Sequence, residues 1–206
     1  PWGYDEADYL DLPTQVKLDK SFTITHIGLL GEDRIPYNLI DVLQELCDEN
    51  LQFKNDLKIE LFGTVNFKMI DYINSKGLES NLSVKGQIPR KEALRKISTS
   101  QLLLLLLNKA DNAKGRIPGK LFEYLYIKRP ILTLGVGESD VQQILKETNS
   151  GEYYTYEAIN SLKKSVIRRY QLFKDNDVVL QSTNMTHFDI KFLTEKISQL
   201  LNGIIK

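Results

Sequence analysis

Residues 101–125 read QLLLLLLNKADNAKGRIPGKLFEYL, and the uninterrupted run of six leucines at 102–107 leads through a polar loop into a second apolar stretch. Six apolar residues are too few to cross a bilayer, and polar residues bound the run on both sides. A short run of this kind indicates a strand that is buried on both faces, as in the centre of a parallel sheet. The sequence therefore predicts an α/β fold with this strand in a central position.

Outside this segment, short β-rich runs alternate with amphipathic runs of helical length from Ser21 onward. This βαβα pattern predicts a Rossmann-like three-layer domain, in which helices flank a six-stranded parallel sheet. The predicted strands span 22–28, 57–63, 81–86, 101–107, 130–134 and 152–156. The predicted helices span 36–50, 67–76, 90–97, 119–127, 139–148, 157–174 and 188–201.

Composition excludes several classes of function. The 206 residues contain 27 Lys and Arg against 27 Asp and Glu, a balance that argues against a protein that coats nucleic acid. The single cysteine, Cys47, cannot form an internal disulfide, which fits a reducing compartment, and we expect a cytoplasmic protein. Neither His26 nor His187 has a second ligand at metal spacing, so no metal site is predicted.

The loop that follows the leucine strand has the composition of a phosphate site. In a parallel sheet, ligands bind beyond the carboxyl ends of the strands, where this loop lies. Pro118 and Gly119 start a helix with free backbone N–H groups, and Lys114, Arg116 and Lys120 add positive charge near its positive end. The alternative is a solvated basic loop with no ligand.

Glu123 lies one turn inside this helix. A carboxylate there can accept hydrogen bonds from two adjacent hydroxyls, such as a ribose 2′,3′-diol. The alternative is an acidic residue that only complements the helix dipole.

Five segments together resemble the C-terminal, nucleotide-sugar-binding domain of a GT-B glycosyltransferase of the family 4 type. They are FTITHIGLLGEDRIPYNLIDVLQEL at 22–46, ELFGTVN at 60–66, GQIPRKEALRKISTSQLLLLL at 86–106, GKLFEYLYIKRPIL at 119–132 and the linker-like GYDEADY at 3–9. The resemblance implies an interdomain linker over residues 1–20 and a donor-binding domain over 21–206. It also implies that an N-terminal acceptor domain is absent from this chain.

The resemblance further implies retaining transfer of a hexosyl group in bacterial surface polysaccharide synthesis. The donor is a nucleoside-diphosphate sugar, no separate cofactor is needed, and a saccharide or lipid-linked acceptor would bind the other domain. We therefore expect this chain alone to transfer no sugar. In this comparison Glu123 holds the ribose, Arg34 pairs with phosphate, and the base lies near Ile88 and Pro89. The implied donor-binding residues are Gly28, Leu29, Arg34, Ile88, Pro89, Arg116, Gly119, Lys120, Leu121 and Glu123.

Two positions depart from the family pattern. Gly115 stands where the first of two spaced glutamates is expected, and Leu29 stands where a basic residue often follows the first strand. Both changes imply weaker or different donor binding.

Two alternatives remain at this point, a GT-B-like sugar-nucleotide epimerase and a non-enzymatic flavodoxin-like interaction domain. A basic helical face formed by Lys163, Lys164, Arg168 and Arg169 could in addition contact acidic lipids at a membrane surface, or could simply be solvated.

Overall fold

The computed structural model describes residues 3–13, 16–110, 113–177 and 183–204. These residues form one sheet of six parallel strands in the order β3-β2-β1-β4-β5-β6. The predicted Rossmann-like six-stranded sheet is therefore confirmed. The strands are β1 Phe22–Ile27, β2 Leu57–Phe62, β3 Leu82–Lys85, β4 Leu102–Leu106, β5 Ile131–Gly135 and β6 Gly151–Thr155.

Helices cover both faces of the sheet and form the two outer layers of the three-layer domain. They are α1 Tyr37–Glu49, α2 Leu51–Asp56, α3 Phe67–Ser75, α4 Arg90–Thr99, α5 Lys120–Ile127, α6 Asp140–Glu147, α7 Ile159–Lys174 and α8 Ile190–Ile204. Apolar side chains of α1, α2, α3 and α7 form one core cluster with the sheet. Those of α4, α5 and α6 form the second cluster on the opposite face.

The leucine run forms the central strand that the sequence predicts. Leu102, Leu104 and Leu106 belong to the core cluster beneath α1 and α7. Leu103 and Leu105, which point the other way because side chains alternate along a strand, belong to the cluster beneath α5. Every residue of β4 is buried, so the strand contributes to both cores at once.

The connection from α1 to β2 differs from the prediction. Asn50 ends α1 as expected, but its side chain also accepts hydrogen bonds from the backbone N–H groups of Gln52 and Phe53, at 2.9 and 3.1 Å. Asn50 therefore caps a second short helix, α2. Phe53 is the one buried residue of α2, and a single anchor leaves no hydrophobic periodicity to detect.

The basic face of α7 is largely engaged by carboxylates. Lys163 lies 2.9 Å from both Glu45 and Glu49 of α1. Arg168 and Arg169 lie 2.5 and 2.7 Å from Glu152 of β6. These ion pairs link α7 to α1 through Lys163 and to the sheet through Arg168 and Arg169. Within the described ranges, no helix combines the length and hydropathy needed to cross a bilayer.

Truncation of the central strand tests its role in both cores. Leu105 is fully buried, so Leu105→Ala should leave a cavity and lower the free energy of unfolding by about 2–5 kcal/mol in urea denaturation. Leu51→Ala, on an exposed position of α2, is the matched control and should change stability by less than about 0.5 kcal/mol. Equal effects of the two substitutions would contradict the central placement of β4.

Candidate functional site

The strand order reverses between β1 and β4, since the chain builds outward from β1 to β3 and then from β4 to β6. Loops that leave β1 and β4 therefore diverge and open a crevice at the carboxyl ends of these strands. Lys120, the first residue of α5, reaches across this crevice, and its ammonium donates a 2.7 Å hydrogen bond to the carbonyl oxygen of Ile27 in β1. The end of β1 and the start of α5, which the sequence predicts separately, thus meet at this point.

A buried histidine lies directly beneath this ammonium. His26 is fully buried, and its Nδ1 lies 3.0 Å from the carbonyl oxygen of Leu104 in β4. Because a carbonyl only accepts hydrogen bonds, Nδ1 carries the proton, and the Nε2 lone pair faces the Lys120 Nζ at 3.5 Å. Burial, reinforced by the Lys120 charge, lowers the pKa of His26 to about 3, so the imidazole is neutral.

Lys120 itself is held as a partly desolvated cation. Burial, together with the nearby positive charge of Arg34, lowers the pKa of Lys120 to about 8, while Glu123 acts in the opposite direction. Its hydrogen-bond partners, the Ile27 carbonyl and His26, are both uncharged. An ammonium in such surroundings gains more from a bound anion than a solvated lysine does.

Two glycines allow the close approach of the backbone at this point. Gly28 has φ +103°, and a Cβ on it would lie 3.1 Å from the Lys120 Nζ. Gly63, which follows β2, has φ +108°, and a Cβ there would lie 2.6 Å from the carbonyl oxygen of Gly28. The family resemblance implies Gly28 as a donor-binding residue, whereas the crowding at Gly63 emerges only from the packing.

Arg34 lies in the loop after β1, and its guanidinium forms a two-bond ion pair with the neighbouring Asp33 at 3.0 and 2.9 Å. The loop is tied to the segment after β4, since the Lys109 N–H donates to the Asp33 carbonyl at 2.9 Å. Lys109 Nζ also donates to the Ile35 carbonyl at 3.2 Å. Arg34 is close enough to Lys120 for its charge to lower the pKa of the lysine, and its guanidinium is already paired with Asp33.

Tyrosine hydroxyls fix the walls of the crevice. Tyr124 of α5 is fully buried and accepts a 3.2 Å hydrogen bond from the Ile27 N–H, which joins α5 to the end of β1. Tyr156, which follows β6, donates to the Leu107 carbonyl at 2.7 Å. Neither role is visible in the sequence, where both residues are simply aromatic.

The start of α5, where the sequence predicts an anion site, has no capping side chain. Gly119 precedes the helix. Leu121 is fully buried among core residues, so only its backbone lies near the crevice, and its N–H donates to the Pro118 carbonyl at 3.0 Å. The structure therefore gives Leu121 a packing role for its side chain.

Glu123 projects from the first turn of α5 and is about one third exposed. Arg90, the first residue of α4, donates from Nε to Glu123 Oε1 at 3.2 Å. Arg90 directly follows Pro89, so the loop predicted to contact a base lies next to the carboxylate predicted to contact a ribose. Sequence reasoning missed Arg90, because nothing in the pattern links residues 33 positions apart.

The remaining predicted residues lie around this centre. Ile88 is half-buried, whereas Pro89 and Arg116 are exposed. Leu29 is 58% exposed, so its side chain points away from the core. The hydrogen bond from Arg34 is the main cause of the lowered pKa of Asp33, to which the Arg116 charge also contributes. Residues 111 and 112 of the same loop lie outside the described residues.

Within the described residues, no group of three His, Cys, Asp or Glu side chains is placed to hold a metal ion. The polar groups at the crevice are the cations of Lys120 and Arg34, the carboxylates of Asp33 and Glu123, the imidazole of His26 and backbone groups. This donor set suits a phosphorylated organic ligand.

Comparison with known proteins places the fold. No family model matches the sequence, and no curated protein matches it. Sucrose-phosphate synthase from Thermosynechococcus elongatus matches with 13% identity and a TM-score of 0.66, over 100% of this chain and 52% of that chain. WaaG, a glycosyltransferase involved in lipopolysaccharide biosynthesis, matches with 15% identity and a TM-score of 0.63, over 83% of this chain and 46% of that chain.

A third solved structure, a putative UDP-N-acetylglucosamine 2-epimerase from Listeria monocytogenes, matches with 12% identity and a TM-score of 0.61. That match covers 98% of this chain and 52% of the epimerase. The fold is a Rossmann-like α/β domain that matches one half of proteins with the GT-B fold. The chain spans about half the length of these three proteins, and the low identities establish the fold alone.

The environment of Lys120 predicts a distinct titration. In lysine-selective NMR, one side chain should titrate at about pH 8, against the usual 10.5, and its signal should be missing in Lys120→Met. The exposed Lys114→Met is the control and should leave the signal in place.

Because the unfolded chain binds the Lys120 proton more tightly, the free energy of unfolding should rise between about pH 8 and pH 10.5 in the parent and not in Lys120→Met. Titration of Lys120 with the other lysines would contradict this description of the crevice.

The backbone conformation at Gly28 predicts that any side chain at this position destabilises the protein. Gly28→Ala combines a positive φ with a contact on Lys120, and we expect a loss of about 1–3 kcal/mol in denaturant unfolding. Gly86→Ala is the matched control, because nothing lies within 4 Å of its added Cβ. Equal stability of the two variants would contradict the close contact between the Gly28 backbone and Lys120.

Proposed function

We propose that this chain is the donor-binding part of a glycosyltransferase and that its crevice binds the nucleoside diphosphate of an activated sugar. The observation that carries the proposal is the position of Lys120. Its ammonium, with a lowered pKa and uncharged partners, lies at the start of α5 and at the reversal of strand order. These features converge on a site for a doubly charged phosphorylated group.

The proposed chemistry is electrostatic. As a glycosidic bond to the donor breaks, negative charge develops on the departing diphosphate. Lys120, Arg34 and the backbone N–H of Lys120, which precedes the N–H groups already bonded at Leu121 and Phe122, would stabilise that charge, and the low polarity around Lys120 would strengthen the attraction. Arg34 remains paired with Asp33 in the free protein, so its contribution requires a shared or exchanged ion pair.

Glu123 is the proposed ribose contact. It lies three residues after Lys120 on the same helix, about 4.5 Å further along the axis, which suits a ribose attached to a diphosphate at the helix start. The adjoining loop at Ile88 and Pro89 would then lie against the base. Leu29 and Gly115 supply no charge where the family pattern has a basic residue and a glutamate, so the donor would be held more weakly or differently.

Retaining stereochemistry, a hexosyl donor and a role in bacterial surface polysaccharide synthesis complete the proposal, and the similarity to WaaG supports the pathway. The acceptor would bind the part of a longer protein that corresponds to the other half of the matched enzymes. The ion pairs on α7 do not support a membrane contact through that helix.

A sugar-nucleotide epimerase is the second candidate, because one of the matched structures carries that description. Both enzymes would bind the same nucleoside diphosphate. Product analysis separates them, since an epimerase releases an isomerised sugar without an acceptor.

The proposal is tested by isothermal titration with UDP, GDP, ADP and CDP. We expect weak binding of one diphosphate, and Glu123→Ala should weaken it by at least about tenfold, because two hydroxyl hydrogen bonds to a carboxylate are lost. Glu45→Ala, which removes an equal charge on the distant α1, is the control.

Binding that survives in Glu123→Ala would contradict the ribose assignment. If all four nucleotides give no heat and no NMR shift changes, the donor-site proposal fails and the flavodoxin-like interaction domain is favoured. Sugar transfer by this chain alone would contradict the expectation that the other half is needed.

A further inference from the structure

The carboxylate proposed to bind ribose is already held by a bridge from two other parts of the chain. Arg90 donates to Glu123 through Nε at 3.2 Å, and its NH1 lies 3.0 Å from Asp8 Oδ2. Asp8 belongs to the N-terminal segment, α4 supplies Arg90 and α5 supplies Glu123. One guanidinium thus connects three elements at the rim of the crevice.

The N-terminal segment is packed firmly enough to anchor this bridge. Tyr9 is buried, and its ring stacks on Tyr126 of α5 with centroids 3.9 Å apart and planes at 21°. The Tyr4 N–H donates to the Phe188 carbonyl at 2.9 Å. Asp8 is therefore fixed relative to α5, although nothing in its sequence position predicts a contact with the donor crevice.

The bridge leaves Glu123 able to accept further hydrogen bonds. A carboxylate has about four lone-pair sites on its two oxygens, and Arg90 contacts only Oε1. Since a glutamate side chain has three rotatable bonds, the contact with Arg90 removes rotamers that a ligand would otherwise have to freeze. The Arg90 charge also lies between two carboxylates that would otherwise repel each other.

We propose that Arg90, backed by Asp8, is a positioning residue that orients the Glu123 carboxylate toward a vicinal diol. The N-terminal segment, which the family resemblance implies is a linker, thereby contributes to recognition of the ribose. This inference rests on the proposed function, because it concerns the same site, and it adds residues that the family resemblance does not assign.

The test measures ribose recognition in matched variants of the full chain. The probes are the diphosphate that binds among UDP, GDP, ADP and CDP, and its 2′,3′-dideoxy analogue, each titrated by NMR shift changes. In the parent, the dideoxy analogue should bind about 10–100-fold more weakly, as expected for hydroxyl groups bound to a carboxylate. The measured quantity is the ratio of the dissociation constants of the dideoxy analogue and the parent nucleotide. In Arg90→Gln this ratio should fall to about threefold, and in Asp8→Asn it should fall by about half.

Asp11→Asn is the control, because Asp11 pairs with Lys91 at 2.5 Å between the same two parts of the chain without contacting Glu123. Its ratio should equal that of the parent. A loss that came only from loosening the N-terminal segment would lower binding of both probes equally and leave the ratio unchanged.

An unchanged ratio in Arg90→Gln would overturn the inference while the proposed function stands, provided that Glu123→Ala still weakens binding. Tighter ribonucleotide binding in Arg90→Gln would also overturn it, because Arg90 would then compete with the ribose. Failure of the parent to bind any of the four diphosphates would overturn both proposals together.

Discussion

The pairing of β1 with β4 is the constraint on which the rest of the structure depends. Ile24 lies opposite Leu102 and Thr25 opposite Leu103, and from this pair the sheet grows outward in both directions. Because every connection in a parallel sheet returns over one face, the loops after β1 and β4 leave toward opposite faces. That divergence creates the crevice, and the fully buried strand β4 lies at its base.

Within the crevice, electrostatics and packing act together. The carbonyl of Leu104 fixes the tautomer of His26, and the neutral imidazole then faces Lys120 as an acceptor. A second cation or a carboxylate in place of His26 would repel the ammonium or neutralise it. With uncharged partners, Lys120 stays charged below about pH 8 and keeps its attraction for an anion. The hydrogen bond to the Ile27 carbonyl and the attraction of Glu123 offset part of the cost of burying this charge.

The proposed ribose contact has a different construction, because its residues come from distant parts of the chain. Asp8, Arg90 and Glu123 meet through the stacking of Tyr9 on Tyr126 and the packing of α4 beside α5. An ion pair of this kind, half-exposed, contributes little to stability. Its value under the proposal lies in orientation, since a fixed carboxylate binds a diol with less loss of conformational freedom.

The sequence by itself determined the fold class, the six strands and the loop that leads to Lys120. Hydrophobic periods of 2 and 3.6 residues mark strands and helices, and Gly and Pro mark the turns between them, so these features depend on local sequence alone. It did not determine the second short helix capped by Asn50, the role of His26 or the bridge through Arg90. Helix α2 has only Phe53 as a buried residue, so no hydrophobic period marked it. A histidine within an apolar strand was expected to be an ordinary core residue. The contacts of Arg90 depend on which strands become neighbours in space, and only the tertiary structure decides that order.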